Sequence, residues 1–216
     1  MFVFAQQPSI ANQYLAELRD AQGQQDRQRF RHNLERLGEL MAYEISRTMP
    51  YHNGTVQTPL APAPTQTLLQ QPVLATILRA GLPLHQGFLN IFDQADSAFA
   101  GAYRSAVHAD DEAEFSIQMD YISSPDLSGR TLILIDPMLA TGRSLEKVYH
   151  TLLRFGTPAH THIAAAIASP EGVRYVQQQM PQCRLWLGAI DSHLNDHYYI
   201  VPGLGDAGDL AFGEKI

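Results

Sequence analysis

Three short apolar runs in the second half of the chain, Thr131 to Ile135, Ile163 to Ala168 and Leu185 to Ile190, are separated by two helical patterns, Leu145 to Phe155 and Glu171 to Met180. Each run has the length and near-continuous apolar character of a strand buried on both faces. Strand, helix, strand, helix, strand closes a core most simply with parallel strands joined by crossover helices. The class is therefore α/β, with a largely parallel central sheet flanked by helices, and ligands are expected in the loops beyond the strand carboxyl ends. Two polar side chains fall at such ends. Asp136 follows the 131–135 run, and Arg79 follows another apolar run, Val73 to Leu78, ahead of Gly81 and a helix from Pro83 to Ile91.

Residues 27–48 place Phe30, Leu34, Leu37, Leu40, Met41 and Ile45 at three- and four-residue steps between charged positions. That is an amphipathic helix, stopped near Met49–Pro50 because proline restricts the residue before it and lacks an N–H. The proline-interrupted stretch through Pro72 is expected to be loop-rich, with Leu68 and Leu69 packing it on the body. Phe99 to Tyr103 and Phe115 to Met119 read as strands around an acidic stretch, either a hairpin or a mobile flap.

Fifteen basic against 22 acidic residues give a net charge of -7, which disfavours a broad nucleic-acid surface but leaves a local phosphate pocket open. The single cysteine, Cys183, excludes an intrachain disulfide and a multi-thiolate zinc site. No apolar run is long enough to span a membrane, and MFVFAQQPSI lacks the basic and long apolar regions of a secretory signal, so a cytoplasmic protein is expected.

The strongest local signal is LILIDPMLATGRS, residues 132–144. An acidic residue ends a buried strand, and Thr141-Gly142-Arg143-Ser144 leads into a helix whose first amides lack backbone partners, a geometry that cradles phosphate. Gly142 lets the backbone approach an anion, and Arg143 either adds charge or points to solvent. No GxxxxGK[ST] loop and no GxSxG elbow occur. Asp136 reads either as a turn cap or as a carboxylate accepting from sugar hydroxyls; Ser144 reads as an N-cap or a phosphate ligand. Arg79 reads as a diphosphate contact or a solvated strand-end arginine, and Arg104 as a second such contact or an ion pair with Asp110 or Asp111.

A second signal, YIVPGLGDAGDLAFG at 199–213, carries Gly203, Gly205 and Gly208 beside Pro202. Such a backbone can present N–H and C=O groups to the edge of a flat heterocycle, with Ile200 as an apolar contact, or it can be a structural turn. Asp206 and Asp209 organise that loop or reach a cation. His193 and His197 are four apart but sit among loop residues, which argues against a metal pair, and His160 and His162 read as surface or loop histidines.

Taken together, ILRAG at 77–81, GAYR at 101–104, DPMLATGRS at 136–144, SPEG at 169–172 and YIVPGLGDAGD at 199–209 resemble the uracil phosphoribosyltransferase family. The resemblance extends through ELRD and RFRHNLERLGELMAYE near the N-terminus. It implies the type I phosphoribosyltransferase fold: one domain over 1–216, with an N-terminal helical extension 1–50, a C-terminal base-binding hood 190–216 and a hairpin flap near 105–120. It implies transfer of the phosphoribosyl group of 5-phosphoribosyl 1-diphosphate (PRPP) to N1 of uracil, giving UMP and diphosphate in pyrimidine salvage.

By the same resemblance, Arg79, Arg104, Asp136 and Asp206 act in catalysis. PRPP contacts Arg79, Arg104, Asp206 and the run Asp136, Pro137, Met138, Leu139, Ala140, Thr141, Gly142, Arg143 and Ser144. Uracil contacts Ile200, Gly205, Asp206 and Ala207. Mg2+ accompanies PRPP, a homodimer or higher homo-oligomer is expected, and GTP is a candidate activator because it activates some relatives. The chain departs from the family pattern at Arg143, where a second glycine is common, at Leu210, where an arginine is common, and at QMDYISSPD, where a lysine-containing KLP-like segment is common.

Overall fold

In the computed structural model, which describes residues 1–105 and 116–214, the chain opens with strand β1 (Phe2–Val3) and helices α1 (Ile10–Arg19) and α2 (Arg27–Ser46). The Asp26 side chain accepts from the Arg29 backbone N–H and caps α2, satisfying one of the donors that every helix start leaves unpaired. The helix gives out just ahead of Met49–Pro50, as the proline requires.

The stretch that follows is not a loop. Strands β2 (Tyr51–Gln57) and β3 (Pro62–Leu68) pair antiparallel from Tyr51 opposite Leu68 to Gln57 opposite Pro62. Proline is tolerated because both strands of a two-stranded ribbon are edges, where a missing N–H need not break a ladder. Nor does the ribbon lie flat on the body: β2 is exposed throughout, Leu68 is packed against the core, and Leu69 is 62% exposed.

The main sheet is built from β4 (Val73–Leu78), β5 (Asp96–Ser105), β6 (Ser116–Ser123), β7 (Thr131–Ile135), β8 (Met138–Leu139), β9 (His160–Ala168) and β10 (Cys183–Ile190). Its order is β1-β10-β9-β7-β4-β5-β6, with β8 beside β9, and only the β5–β6 pair is antiparallel. The two strands read near 99–103 and 115–119 are thus real, but longer, and β5 belongs to the central sheet beside β4. Of the expected flap at 105–120, residues 106–115 lie outside the described residues.

Helix α3 (Leu82–Ile91) joins β4 to β5, α4 (Arg143–Leu152) joins β8 to β9, and α5 (Pro170–Gln179) joins β9 to β10. Period-two alternation then splits the core. Leu74, Ile133, Ala164 and Trp186 face α1, α2 and α3, while Val73, Ala75, Leu132 and Leu134 face α4 and α5. The chain finishes with a short ribbon, β11 (His193–Leu194) against β12 (Ile200–Val201), and helix α6 (Ala207–Phe212). No helix among the described residues is long and apolar enough to cross a membrane.

Candidate active site

The loops that follow β4, β7, β9 and β10 emerge at one end of the sheet because those strands are parallel neighbours. A cavity of about 810 Å³ opens there. Ile77, Leu78, Arg79 and Ala80 form one wall; Asp136, Met138, Ala140, Thr141, Gly142 and Ser144 form the floor; Ile200, Gly205, Asp206 and Ala207 approach from the C-terminal segment. The two segments singled out in the sequence, 136–144 and 199–209, therefore share one space.

Three residues of the first segment are absent from the cavity wall. Pairing of β8 with β9 draws Met138–Leu139 into the sheet edge, so Met138 lines the cavity while Leu139 is fully buried in the core. Pro137 and the exposed Arg143 also lie off the wall. The Arg104 backbone sits on β5 opposite Ile117; its side chain lies outside the described residues.

Local chemistry explains the loop's shape. Helix α4 begins two residues earlier than its apolar pattern suggests, and its N-cap is Gly142, not Ser144, which lies in the first turn. Gly142 has φ 80, and a Cβ there would come 3.0 Å from the Tyr175 ring and 3.1 Å from Val176 Cγ2, so both conformation and space call for glycine. Behind the loop, Ser169 Oγ donates to the Ala140 carbonyl at 2.6 Å and accepts from the Gly172 N–H at 2.8 Å. A Cβ on Gly172 would sit 2.2 Å from that same carbonyl. SPEG thus caps α5 and clamps the loop against it.

Asp136 does cap a turn: its Oδ1 accepts from the Met138 N–H at 3.1 Å, which fixes the carboxylate at the cavity's floor. Arg79 is exposed at its strand end, yet it is held. Its guanidinium donates to Asp209 Oδ1 at 3.1 Å and to the Gly213 carbonyl at 3.2 Å, tying β4 to the C-terminal segment. Asp206 Oδ1 accepts from the Gly208 and Asp209 N–H groups at 2.8 and 3.0 Å and starts α6.

That C-terminal segment is held from the other end of the chain. Arg19 donates to both carboxylate oxygens of Asp191 and to the Gly203 carbonyl, while the Gly203 N–H donates to Asp191 Oδ2. Gln24 Nε2 donates to the Leu204 carbonyl, and Arg31 to the Ala211 carbonyl. ELRD, a motif without an evident job in the sequence, contributes the first of these braces.

Sequence reasoning also missed wall residues: Asp120 on β6, and His197, Tyr198 and Tyr199 between β11 and β12. The adjacent tyrosines beside Ile200 were a usable signal; Asp120 gave none. His193 and His197 lie on β11 and the turn after it, not on successive helical turns. His162 corrects its reading as a loop histidine, for it is 7% exposed within β9.

A profile described as uracil phosphoribosyltransferase matches residues 5–214. The chain is similar to a uracil phosphoribosyltransferase of Porphyromonas gingivalis, 52% identical over 209 residues, covering 96% of this chain and 95% of that one. It is also similar to one from Pyrococcus furiosus, 36% identical over 221 residues and covering 100% of this chain and 91% of that protein. A solved structure, the AQ2163 protein from Aquifex aeolicus, superposes with a TM-score of 0.85 at 28% identity over 97% of each chain. With an open cavity at the carboxyl end of a parallel sheet and a match along almost its whole length, the chain belongs to the uracil phosphoribosyltransferase family of pentosyltransferases, on the type I phosphoribosyltransferase fold.

Proposed function

We propose that the cavity transfers the 5-phosphoribosyl group of PRPP to N1 of uracil, releasing diphosphate and giving UMP, a pyrimidine-salvage step. The observation that carries this reading is the shared cavity of the 136–144 loop and the 200–207 segment. One offers what a phosphorylated ribose needs, the other what a flat base needs.

In this reading the backbone amides of Thr141 to Ser144, at the start of α4, take the 5'-phosphate, supported by the positive end of the helix dipole. Asp136, its rotamer pinned by the Met138 amide, receives ribose hydroxyls. Arg79 approaches the diphosphate, exchanging Asp209 for a more highly charged partner, and Arg104 joins it from β5. Gly205, Asp206 and Ala207 present backbone donors and acceptors to uracil, and Ile200 packs against its face. Pro137, Leu139 and Arg143 contribute through backbone position alone.

Transfer then proceeds by lengthening of the C1'–diphosphate bond, development of positive character on the ribose, and attack by N1 from the opposite face. Asp136 favours the cationic ring and the arginines favour the departing diphosphate. Among the described residues no group of three or more His, Cys, Asp or Glu is placed to hold a metal, yet Asp120, Asp136 and Asp206 all line the cavity. Mg2+ binds through one or two carboxylates while keeping waters and phosphate oxygens, so these aspartates fit an ion carried in with PRPP, which would neutralise leaving-group charge.

Family membership supports the wider reading: one domain with the 1–50 extension bracing the 190–216 hood, a cytoplasmic homo-oligomer, and GTP as candidate activator. The decisive experiment is diphosphate release from PRPP measured with and without uracil. Release that requires uracil, with UMP formed in equal amount, is expected; release indifferent to uracil would overturn the assignment.

A further inference from the structure

A second cavity, of about 540 Å³, opens where β7, β9 and β10 begin, at the opposite end of the sheet, and it shares no lining residue with the first. Strand register determines what faces it. His160 lies beside Thr131, and His162 beside Arg184, across parallel ladders. Alternate residues of a strand share a face and registered neighbours do too. All four therefore lie on one face, and all four line this cavity.

The hydrogen bonding fixes their chemistry. The Trp186 indole N–H donates to His162 Nδ1 at 2.9 Å. An indole only donates, so Nδ1 is the acceptor and the ring proton resides on Nε2. Among the described residues nothing accepts from that Nε2–H, although His162 is 7% exposed. Burial, aided by nearby Arg184 and His160, holds its pKa down to about 4, so at neutral pH the ring is an uncharged donor. Arg184 lies 4.4 Å from the Trp186 ring centroid and has no carboxylate partner among the described residues.

The chain carries a net charge of -7, yet among the described residues no acidic one lines this cavity. His162 Nε2–H reaches the cavity with no protein acceptor among the described residues, and a guanidinium beside such a donor and a hydroxyl is the donor set that oxyanions satisfy. We propose that this cavity is a second, non-catalytic site for a small phosphate-bearing anion, with Arg184 supplying charge and His162 Nε2–H and the Thr131 hydroxyl supplying directed donors.

Trp186 is the only tryptophan, so its fluorescence reads this cavity directly. Inorganic phosphate is titrated at constant ionic strength, with ribose 5-phosphate as a second arm, while the His162 ring nitrogens are followed by 15N NMR. The expected result is a saturable response, with the tighter arm showing whether free phosphate or a phosphate ester is preferred. Arg184→Gln, at an exposed position, and Thr131→Val should each still turn over uracil and PRPP but bind the probe more weakly, by about tenfold for Arg184→Gln. No response from either Trp186 or His162 overturns the proposal. So does a response whose affinity is the same in Arg184→Gln, since the anion would then be binding elsewhere.

Discussion

Replacing Arg19 with methionine tests whether helix α1 shapes the proposed base-binding segment or merely covers it. The Asp191 side chain is 4% exposed and Arg19 is 24% exposed, so the pair is largely withdrawn from water. Without Arg19, Asp191 keeps only the Gly203 N–H among the bonds described here, and Gly203 loses the donor to its carbonyl. Breaking a buried pair from one side costs about 3–5 kcal/mol, and the partial exposure of Arg19 places this case near about 3 kcal/mol. For a chain of 216 residues that corresponds to a fall in Tm of about 6–12 °C. A double-mutant cycle with Asp191→Asn should return a coupling of about 1–3 kcal/mol. Because the strut ends on Gly203, between the proposed uracil contacts Ile200 and Gly205, KM for uracil should rise while KM for PRPP holds. A lower Tm with an unchanged uracil KM would refute the positioning argument, and an unchanged Tm would refute the energetics.

Four further outcomes are expected. Asp136→Asn should fold normally and lose about 100-fold or more in kcat through ribose misplacement; steady-state kinetics beside a thermal melt checks both halves. Gly142→Ala forces a side chain into φ 80 against Tyr175 and Val176, which should cost about 1–3 kcal/mol by denaturant unfolding and weaken PRPP binding. Arg143→Gly should leave PRPP affinity within about twofold, because the residue is exposed and off the cavity wall; a larger loss by direct titration would establish a phosphate contact. His85 and His162 are both held at about 4, mainly by burial, against an ordinary 6.5. Between those values the unfolded chain binds more protons, so stability should fall as pH drops from 6.5 toward 4 and then level off, by about 3 kcal/mol per histidine at most. Equilibrium unfolding across that range, with His162→Gln flattening the slope, is the check.

What could be read from the sequence was what is local. Strands β4, β7, β9 and β10 announce themselves by short apolar runs, and Arg79 and Asp136 by standing at the ends of two of them. The start of α4 was misplaced because a left-handed glycine cap leaves no side-chain signature, whereas Asp26 and Ser169 advertise theirs. The β2–β3 ribbon was hidden by prolines, whose veto on pairing lapses at an edge. His162 looked like a loop residue because its burial comes from Trp186 on the next strand, a neighbour that only register supplies. Likewise the Arg79–Asp209 and Arg19–Asp191 pairs join residues 130 and 172 positions apart, and no spacing rule reaches that far.

The braces from Arg19, Gln24 and Arg31 to carbonyls at 203, 204 and 211 also set an order of assembly. Residues 19–31 are synthesised well before the 203–211 segment that they hold, whereas the 136–144 loop is clamped by the nearby Ser169. During synthesis, the 136–144 loop and its Ser169 clamp can form before the 203–211 segment. Helices α1 and α2 gain these carbonyl partners only once residues 203–211 have been made, so that wall of the cavity is the later one to close.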